Sequence, residues 1–255
     1  MYAEERQQAM AQLINAERRV SVARLAEDFS VTTETVRRDL SALERRGLVR
    51  RVHGGAVPVD ALAPTESGLN ERDQHNTDAK EGLAAAAIAL LPAPGSTILL
   101  DAGSTTARLV AALPHDHQLT VVTHSVPLAA RLAGNPNIEL VLLPGRVRPT
   151  TQAAVGADTV AALAEIRVDM SFVGANGLSV EFGLSTPDRD EAATKRALVA
   201  AGRRTVALVD SSKLGLESTH RFARLSDVDV LVTDAGIDAV ERSELERHGL
   251  EVVVA

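Results

Sequence analysis

The spacing of apolar residues changes twice along the chain. In the first part, Met10, Leu13 and Ile14 mark one face of a helix, and Val22, Leu25, Ala26 and Phe29 mark a second, which Ser21 is suited to cap. A tight connector, Ser30-Val31-Thr32, leads to a third helix capped by Thr32, with Val36, Leu40 and Leu43 inward and Gly47 at its end. Leu48-Val49-Arg50-Arg51-Val52-His53, Gly54-Gly55 and Ala56-Val57 read as a small hairpin. Three short helices and a hairpin predict a winged helix-turn-helix over residues 1–57. From Pro58 to Asp78, Pro, Gly, Asn, Asp and Thr mix without period, the composition of a connector.

Residues 79–255 carry a different pattern. Short β-branched or leucine-rich runs lie at 97–100, 119–123, 138–142, 170–173, 205–209, 228–232 and 251–254. None alternates apolar with polar, which predicts strands buried on both faces. Helical spacing fills most of the intervals, at about 79–91, 105–113, 126–133, 156–164, 188–201 and 238–248. Such alternation predicts an α/β domain with a largely parallel sheet and helices on its faces.

Composition narrows the chemistry. The 255 residues contain no cysteine, which removes disulfides, thiolate nucleophiles, iron–sulfur clusters and Cys-ligated zinc. Aromatics are 2%, too few for platforms that stack single-stranded bases, so a nucleic-acid partner should be a duplex. Apolar runs are short and Met1-Tyr2-Ala3-Glu4-Glu5-Arg6 lacks a secretory pattern, so the expectation is a cytoplasmic protein with no membrane partner. The net charge of −7 is uneven: residues 1–57 hold ten arginines and eight carboxylates, with arginines crowded at 37, 38, 45, 46, 50 and 51. A local basic patch outweighs an acidic body lying beyond a Debye length of about 8–10 Å.

On the third helix, Thr33, Thr35, Arg37, Arg38 and Ser41 are left outward, where small hydroxyl residues permit close approach to a major groove and arginine pairs with guanine or phosphate. Thr32 at the cap and the wing residues Arg50, Arg51 and His53 complete the candidate DNA-binding set. Asp39 cannot hold a phosphate and is expected to orient an arginine or pack the wing. The run SVARLAEDFSVTTETVRRDLSALERRGLVRRVHGGA resembles the DNA-binding domain of the DeoR family of bacterial transcriptional regulators, through Thr35-Val36-Arg37-Arg38-Asp39-Leu40 and His53-Gly54-Gly55-Ala56. That resemblance carries the recognition role onto Thr33, Thr35, Arg37 and Arg38.

In the second domain, the strand at 97–100 runs into Asp101-Ala102-Gly103-Ser104-Thr105-Thr106 and then a helix. Free N–H groups at the helix start, a glycine and three hydroxyls suit an anion cradle. No G-K-[ST] and no G-x-G-x-x-G spacing accompany it, so a monophosphate ester fits better than a nucleotide. In a parallel sheet the turns His124-Ser125, Pro144-Gly145-Arg146, Gly174-Ala175-Asn176-Gly177 and Asp210-Ser211-Ser212-Lys213 share that edge, with Lys195 on a nearby helix. This half also resembles the DeoR sensor domain, whose fold is similar to ribose-5-phosphate isomerase. The resemblance maps effector contacts onto Asp101, Gly103, Ser104, Thr105, Thr106, Thr123, Ser125, Gly145, Arg146, Asn176, Gly177, Lys195 and Lys213.

The expectation is a regulator, most readily a repressor of a sugar-catabolism operon, that binds double-stranded operator DNA as a homodimer or larger assembly and responds to a phosphorylated sugar. Fructose 1-phosphate is the first guess, with tagatose, galactitol and amino-sugar phosphates open. No cofactor, metal or catalytic residue is expected. The alternative is an isomerase-like enzyme fused to a DNA reader, with Asp101, Asp210, Lys195 and Lys213 as its chemistry. Against it, Asn176 stands where the resembling isomerases have an acidic run, and an amide is no general base. His115-Asp116-His117 follows Pro114 in a polar turn without further ligands by spacing, and Ser104 with His124 and Asp101 lacks a nucleophile elbow.

Overall fold

A computed structural model describes residues 2–17, 20–52, 55–58 and 68–255. His53 and Gly54 of the wing, and residues 59–67 of the connector, lie outside them.

The N-terminal unit runs α1 (Ala3–Glu17), β1 (Val20–Ser21), α2 (Val22–Asp28), α3 (Thr33–Arg45), β2 (Val49–Val52) and β3 (Gly55–Pro58). Its helices start where the sequence offers caps: the Ser21 hydroxyl accepts from Arg24 N–H at 3.1 Å, and that of Thr32 from Thr35 N–H at 3.2 Å. Gly47 follows α3 with a φ of +65°, a left-handed exit that glycine adopts without strain. Met10, Ile14, Leu25, Val36, Leu40 and Leu43 close on one another as the core. A strand absent from the hydrophobic pattern, β1, pairs with β3, in the order β1-β3-β2. A Cβ at Gly55 would stand 2.3 Å from Val20 O, so only glycine fits at that pairing.

The larger unit begins inside the span read as connector. It runs α4 (Leu69–Gln74), α5 (Thr77–Ile88), β4 (Ser96–Leu100), α6 (Ser104–Ala112), β5 (Leu119–Thr123), α7 (Val126–Leu132) and β6 (Ile138–Leu142). There follow β7 (Arg146–Arg148), β8 (Ala153–Val155), α8 (Ala157–Ala164), β9 (Met170–Gly174), β10 (Gly177–Ser179), β11 (Gly183–Thr186) and α9 (Arg189–Ala201). The chain closes with β12 (Thr205–Leu208), β13 (His220–Ala223), β14 (Val230–Thr233), α10 (Ala239–Arg247) and β15 (Glu251–Val254).

Seven of these strands form one parallel sheet in the order β15-β14-β12-β9-β4-β5-β6. Alternate residues of each inner strand enter different cores, which is why those runs carry no polar alternation. Ile98, Leu100, Phe172 and Val206 pack on one side with Leu83, Leu109 and Leu128, while Leu99, Val173 and Ala207 pack on the other with Leu163, Leu198 and Leu245. The expectation of two buried faces does not hold for β6: it is an edge strand, and Glu139, Val141 and Leu142 are exposed. An antiparallel sheet, β10-β11-β13, lies beyond the parallel one and was not legible in the short, mixed runs that form it.

Phe172 is fully buried at the centre of the sheet. Phe172→Ala should lower unfolding free energy by about 3–5 kcal/mol, read from urea transitions by far-UV circular dichroism. A loss below about 1 kcal/mol would contradict the placement of this side chain.

Candidate functional site

The sheet changes direction between β4 and β9: β5 and β6 extend to one side of β4, and β12, β14 and β15 to the other side of β9. Where neighbouring strands part in this way, the loops at their carboxyl ends open a crevice. A cavity of about 170 Å³ occupies it, lined by Gly103, Ser104, Thr105 and Thr106 after β4, Gly174, Ala175 and Asn176 after β9, and Asp210 and Lys213 after β12. Lys195 enters from α9, and Arg72, His75, Asn76 and Lys80 from α4, α5 and the turn between them.

The floor is a buried ion pair. Asp101, wholly inaccessible, receives the Lys195 ammonium on Oδ2, which also accepts from Gly174 N–H at 2.9 Å. Lys195 donates further to Gly174 O at 3.1 Å and rests over the Phe222 ring. His124 donates from Nδ1 to Ala154 O at 2.8 Å, so a neutral ring accepts at Nε2 from Ala102 N–H at 3.1 Å. The same Nε2 lies 3.1 Å from Asp101 Oδ1. Burial by itself would raise the Asp101 pKa; Lys195 first, and then His124, outweigh it and hold the carboxyl at about 2.

Above this floor the lining is rich in donors. Gly103 has no side chain to cap α6, and the first-turn amides of Ser104, Thr105 and Thr106 have no intrahelical acceptor. The Thr106 hydroxyl is engaged, donating to Gly103 O at 3.0 Å. Arg72 Nε and Nη2 are buried with no hydrogen-bond partner among the described residues. Lys80 gives its ammonium protons to Arg72 O and His75 O, fixing the α4–α5 turn; burial lowers its pKa, Asp210 opposes this, and nearby Lys213 adds to it. Asn76, in the left-handed region at φ +52°, donates to Asp210 Oδ1 and Ser212 Oγ, both at 3.0 Å, and ties that turn to the loop across the cavity. Asp210 Oδ1 also accepts from Ser212 N–H at 3.1 Å.

Of the sequence-predicted effector residues, the structure brings Gly103, Ser104, Thr105, Thr106, Asn176, Lys195 and Lys213 to one cavity, with Asp101 directly beneath. Five others stand away from its lining. The Thr123 hydroxyl donates to Leu100 O at 2.8 Å, and Ser125 caps α7. Gly145 packs where a Cβ would meet Thr159 Oγ1 at 2.1 Å, Gly177 packs against Leu216, and Arg146, largely exposed, pairs with Asp190 at 2.7 Å. Arg72, His75, Asn76 and Lys80 went unread because they fall at the border of an aperiodic stretch. An arginine, a turn-forming asparagine and a lysine at intervals of four, spanning the turn into a helix, are the available signal.

On the reader, Thr33, Arg37 and Arg38 are exposed along α3, with Thr35 half-buried beside them. Thr32 is exposed, and its hydroxyl serves as the helix cap. Ser41 donates to Arg37 O at 2.8 Å and accepts from Arg51 Nη1 at 2.9 Å, joining helix to wing. Arg50 is only half-exposed and faces the chain's own second unit, 3.5 Å from Glu217. Asp39 orients an arginine, but of α1 and not of the wing: Arg6 Nε donates to it at 2.7 Å and Gln7 Nε2 at 2.8 Å. His53 lies outside the described residues.

Comparison with known proteins gives two family models that together span most of the chain: the DeoR-like helix-turn-helix domain over residues 6–61 and the DeoR C terminal sensor domain over residues 75–235. The HTH-type transcriptional regulator GlpR of Haloferax volcanii is 36% identical over 98% of this chain and 96% of its own. GolR of Listeria innocua, also named an HTH-type transcriptional regulator, is 33% identical over the whole of both chains. The glycerol-3-phosphate regulon repressor of Escherichia coli is 30% identical over 91% of this chain and 90% of its own. Among solved structures, ribose 5-phosphate isomerase A of Methanocaldococcus jannaschii matches 54% of each chain with 22% identity and a TM-score of 0.41. The sorbitol operon regulator SorC of Klebsiella pneumoniae matches 94% of this chain and 97% of its own, with 14% identity and a TM-score of 0.40.

Lys195→Met would leave the Asp101 charge buried without its cation and should cost about 3–5 kcal/mol in urea unfolding at neutral pH. Because the Asp101 pKa is held at about 2 when folded against an ordinary 3.8, its contribution is full above pH 4 and lost as pH falls toward 2. That contribution is on the order of 2 kcal/mol. Wild type should therefore lose more stability than the Asp101→Asn, Lys195→Met double variant between pH 4 and pH 2; parallel losses would show that the carboxylate is not held low.

Proposed function

The chain belongs to the DeoR family of transcriptional regulators, and from that premise we propose that it is a repressor whose grip on operator DNA is set by a phosphorylated sugar in the β4–β9 crevice. The observation that carries this reading is the donor surplus there. Arg72, with two buried N–H-bearing nitrogens unpaired among the described residues, lines a cavity that also receives Lys80, Lys213 and the open first turn of α6. An anion with several acceptor oxygens meets those donors, as a phosphate ester does. The cavity, at about 170 Å³, is below the roughly 300–1,000 Å³ of drug-sized ligand pockets, which suits one small sugar ester rather than a nucleotide. A relative named for the glycerol-3-phosphate regulon supports the same class of ligand.

The two carboxylates that enolisation of such a ligand would call on are both engaged among the described residues. Asp101 is absent from the lining and occupied by Lys195 and Gly174 N–H, and Asp210 Oδ1 already accepts from Asn76 and Ser212. The reading is therefore binding without turnover. The exposed face of α3 supplies the groove contacts, and a homodimer or larger assembly supplies paired readers for half-sites about 34–36 Å apart.

Arg37→Ala together with Arg38→Ala should abolish the gel shift of a duplex selected from a random pool by wild-type protein, with urea stability within about 0.5 kcal/mol of wild type. A retained shift would refute the assigned face. Titration calorimetry should give binding for sugar phosphates, fructose 1-phosphate first among those tried, and none for the free sugars. Thr105→Glu, which sets a carboxylate in the cradle, should lose that binding. Equal affinity for a sugar and its phosphate would refute the cradle.

A further inference from the structure

The two units of the chain meet at a surface of opposite charge. Arg37 of the recognition helix and Arg50 and Arg51 of the wing, with Glu44 from the last turn of that helix among them, line one wall of a cleft of about 900 Å³. The facing wall carries Glu181 from the β10–β11 turn, Glu217 from the loop before β13, and Asp238, Glu241 and Glu244 from the start of α10. The second unit contributes five carboxylates to the cleft and no lysine or arginine. The walls are joined at one place, where the Arg50–Glu217 pair at 3.5 Å lies beside Val57 of the wing packed on Leu216, Val57 and Leu216 both buried and Arg50 the cross-strand partner of Val57.

Duplex DNA and this acidic wall compete for the same cations. A duplex read by α3 and the wing must present a major groove about 12 Å wide to the helix and its phosphates to the flanking arginines. In the arrangement seen here Arg50 is committed to Glu217 and Val57 to Leu216, and the acidic wall stands across the cleft from Arg37 and Arg51, on the side from which a phosphate backbone would reach them. We propose that the acidic wall is a seat for the DNA reader, an intramolecular partner that takes the place of the phosphate backbone, so that the arrangement seen here is a closed form that must open to bind DNA. The inference rests on the reading of the N-terminal unit as a duplex binder and extends it to what holds that unit when DNA is absent.

The seat is continuous with the effector cavity. Asn176 and Lys213 line the cavity, and Leu178 and Gly215, two residues farther along each segment, line the cleft. Gly215 N–H donates to Leu178 O at 2.7 Å, and a Cβ at Gly177 would stand 2.4 Å from Leu216 O. The two segments form one close-packed ledge with the cavity at one end and Leu216 and Glu217 at the other, so occupancy of the cavity and seating of the reader bear on adjoining residues of the same two segments.

The test uses full-length protein and a fluorescent duplex of about 30 base pairs, long enough for two half-sites a helical turn apart. Because the chain has no cysteine, Val57→Cys with Leu216→Cys introduces only the intended pair of thiols. Oxidation should join them and abolish the anisotropy change on adding duplex, and a reductant should restore it. Thiols that do not join, or a joined protein that binds as the reduced one does, would overturn the seat. A second set of variants reports independently of that pair: Glu181→Gln, Glu217→Gln and Glu244→Gln together should tighten duplex binding about fivefold or more. The exposed carboxylates Asp116, Glu139 and Glu165, outside the cleft, give a control of equal charge change when neutralised, with less than about a twofold effect. Equal gains from the two sets would overturn the seat. Wild-type protein that binds no duplex at any salt concentration would instead sink the DNA-binding reading itself.

Discussion

Asp101 stands at the point of the parallel sheet where neighbouring strands part, and its carboxylate organises what surrounds it. Lys195 from α9, Gly174 N–H at the end of β9 and the His124 ring after β5 converge on one side chain that ends β4. A charge wholly removed from water is tolerated only where such partners are complete. Meeting that condition fixes three loops and a helix against one another before any ligand arrives. The crevice above inherits its shape from this constraint, and Gly103 and Asn176 are held to its two sides by backbone that has little freedom to shift.

Above that fixed floor, the α4–α5 turn is held by fewer and more exposed bonds. Lys80 secures it from within by two backbone carbonyls, and Asn76 reaches across to Asp210 and Ser212. The turn therefore closes one side of the cavity while standing a few residues from the connector to the DNA reader. A ligand drawn to Arg72 acts on the least anchored part of the lining, and the connector is the next segment along the chain.

Much of this architecture was legible in the residues. Strand runs such as 119–123 and 251–254 coincide with observed strands because burial on both faces leaves no polar alternation to blur them. Caps at Ser21 and Thr32 located helix starts, since those hydroxyls satisfy amides that nothing else reaches. What escaped was set by tertiary packing. Leu69–Gln74 has no amphipathic stripe of its own and is helical where it packs beside the cavity, and β10, β11 and β13 are short strands that pair with one another outside the parallel sheet. At the site, residues on the strand-end loops nearest the parting point line the cavity. Thr123, Ser125, Gly145 and Arg146 belong to strands farther along the β5–β6 side, where the same loop chemistry serves capping, close packing and a surface ion pair.

The ledge formed by Gly177–Leu178 and Leu214–Glu217 has a corollary. In the proposed closed form, a substitution there bears on both the wall of the cavity and the seat of the reader. Arg72 and His75 form the opposite rim, where a substitution reshapes the cavity and leaves the ledge untouched, which gives a change of ligand preference a route separate from the hold on the reader.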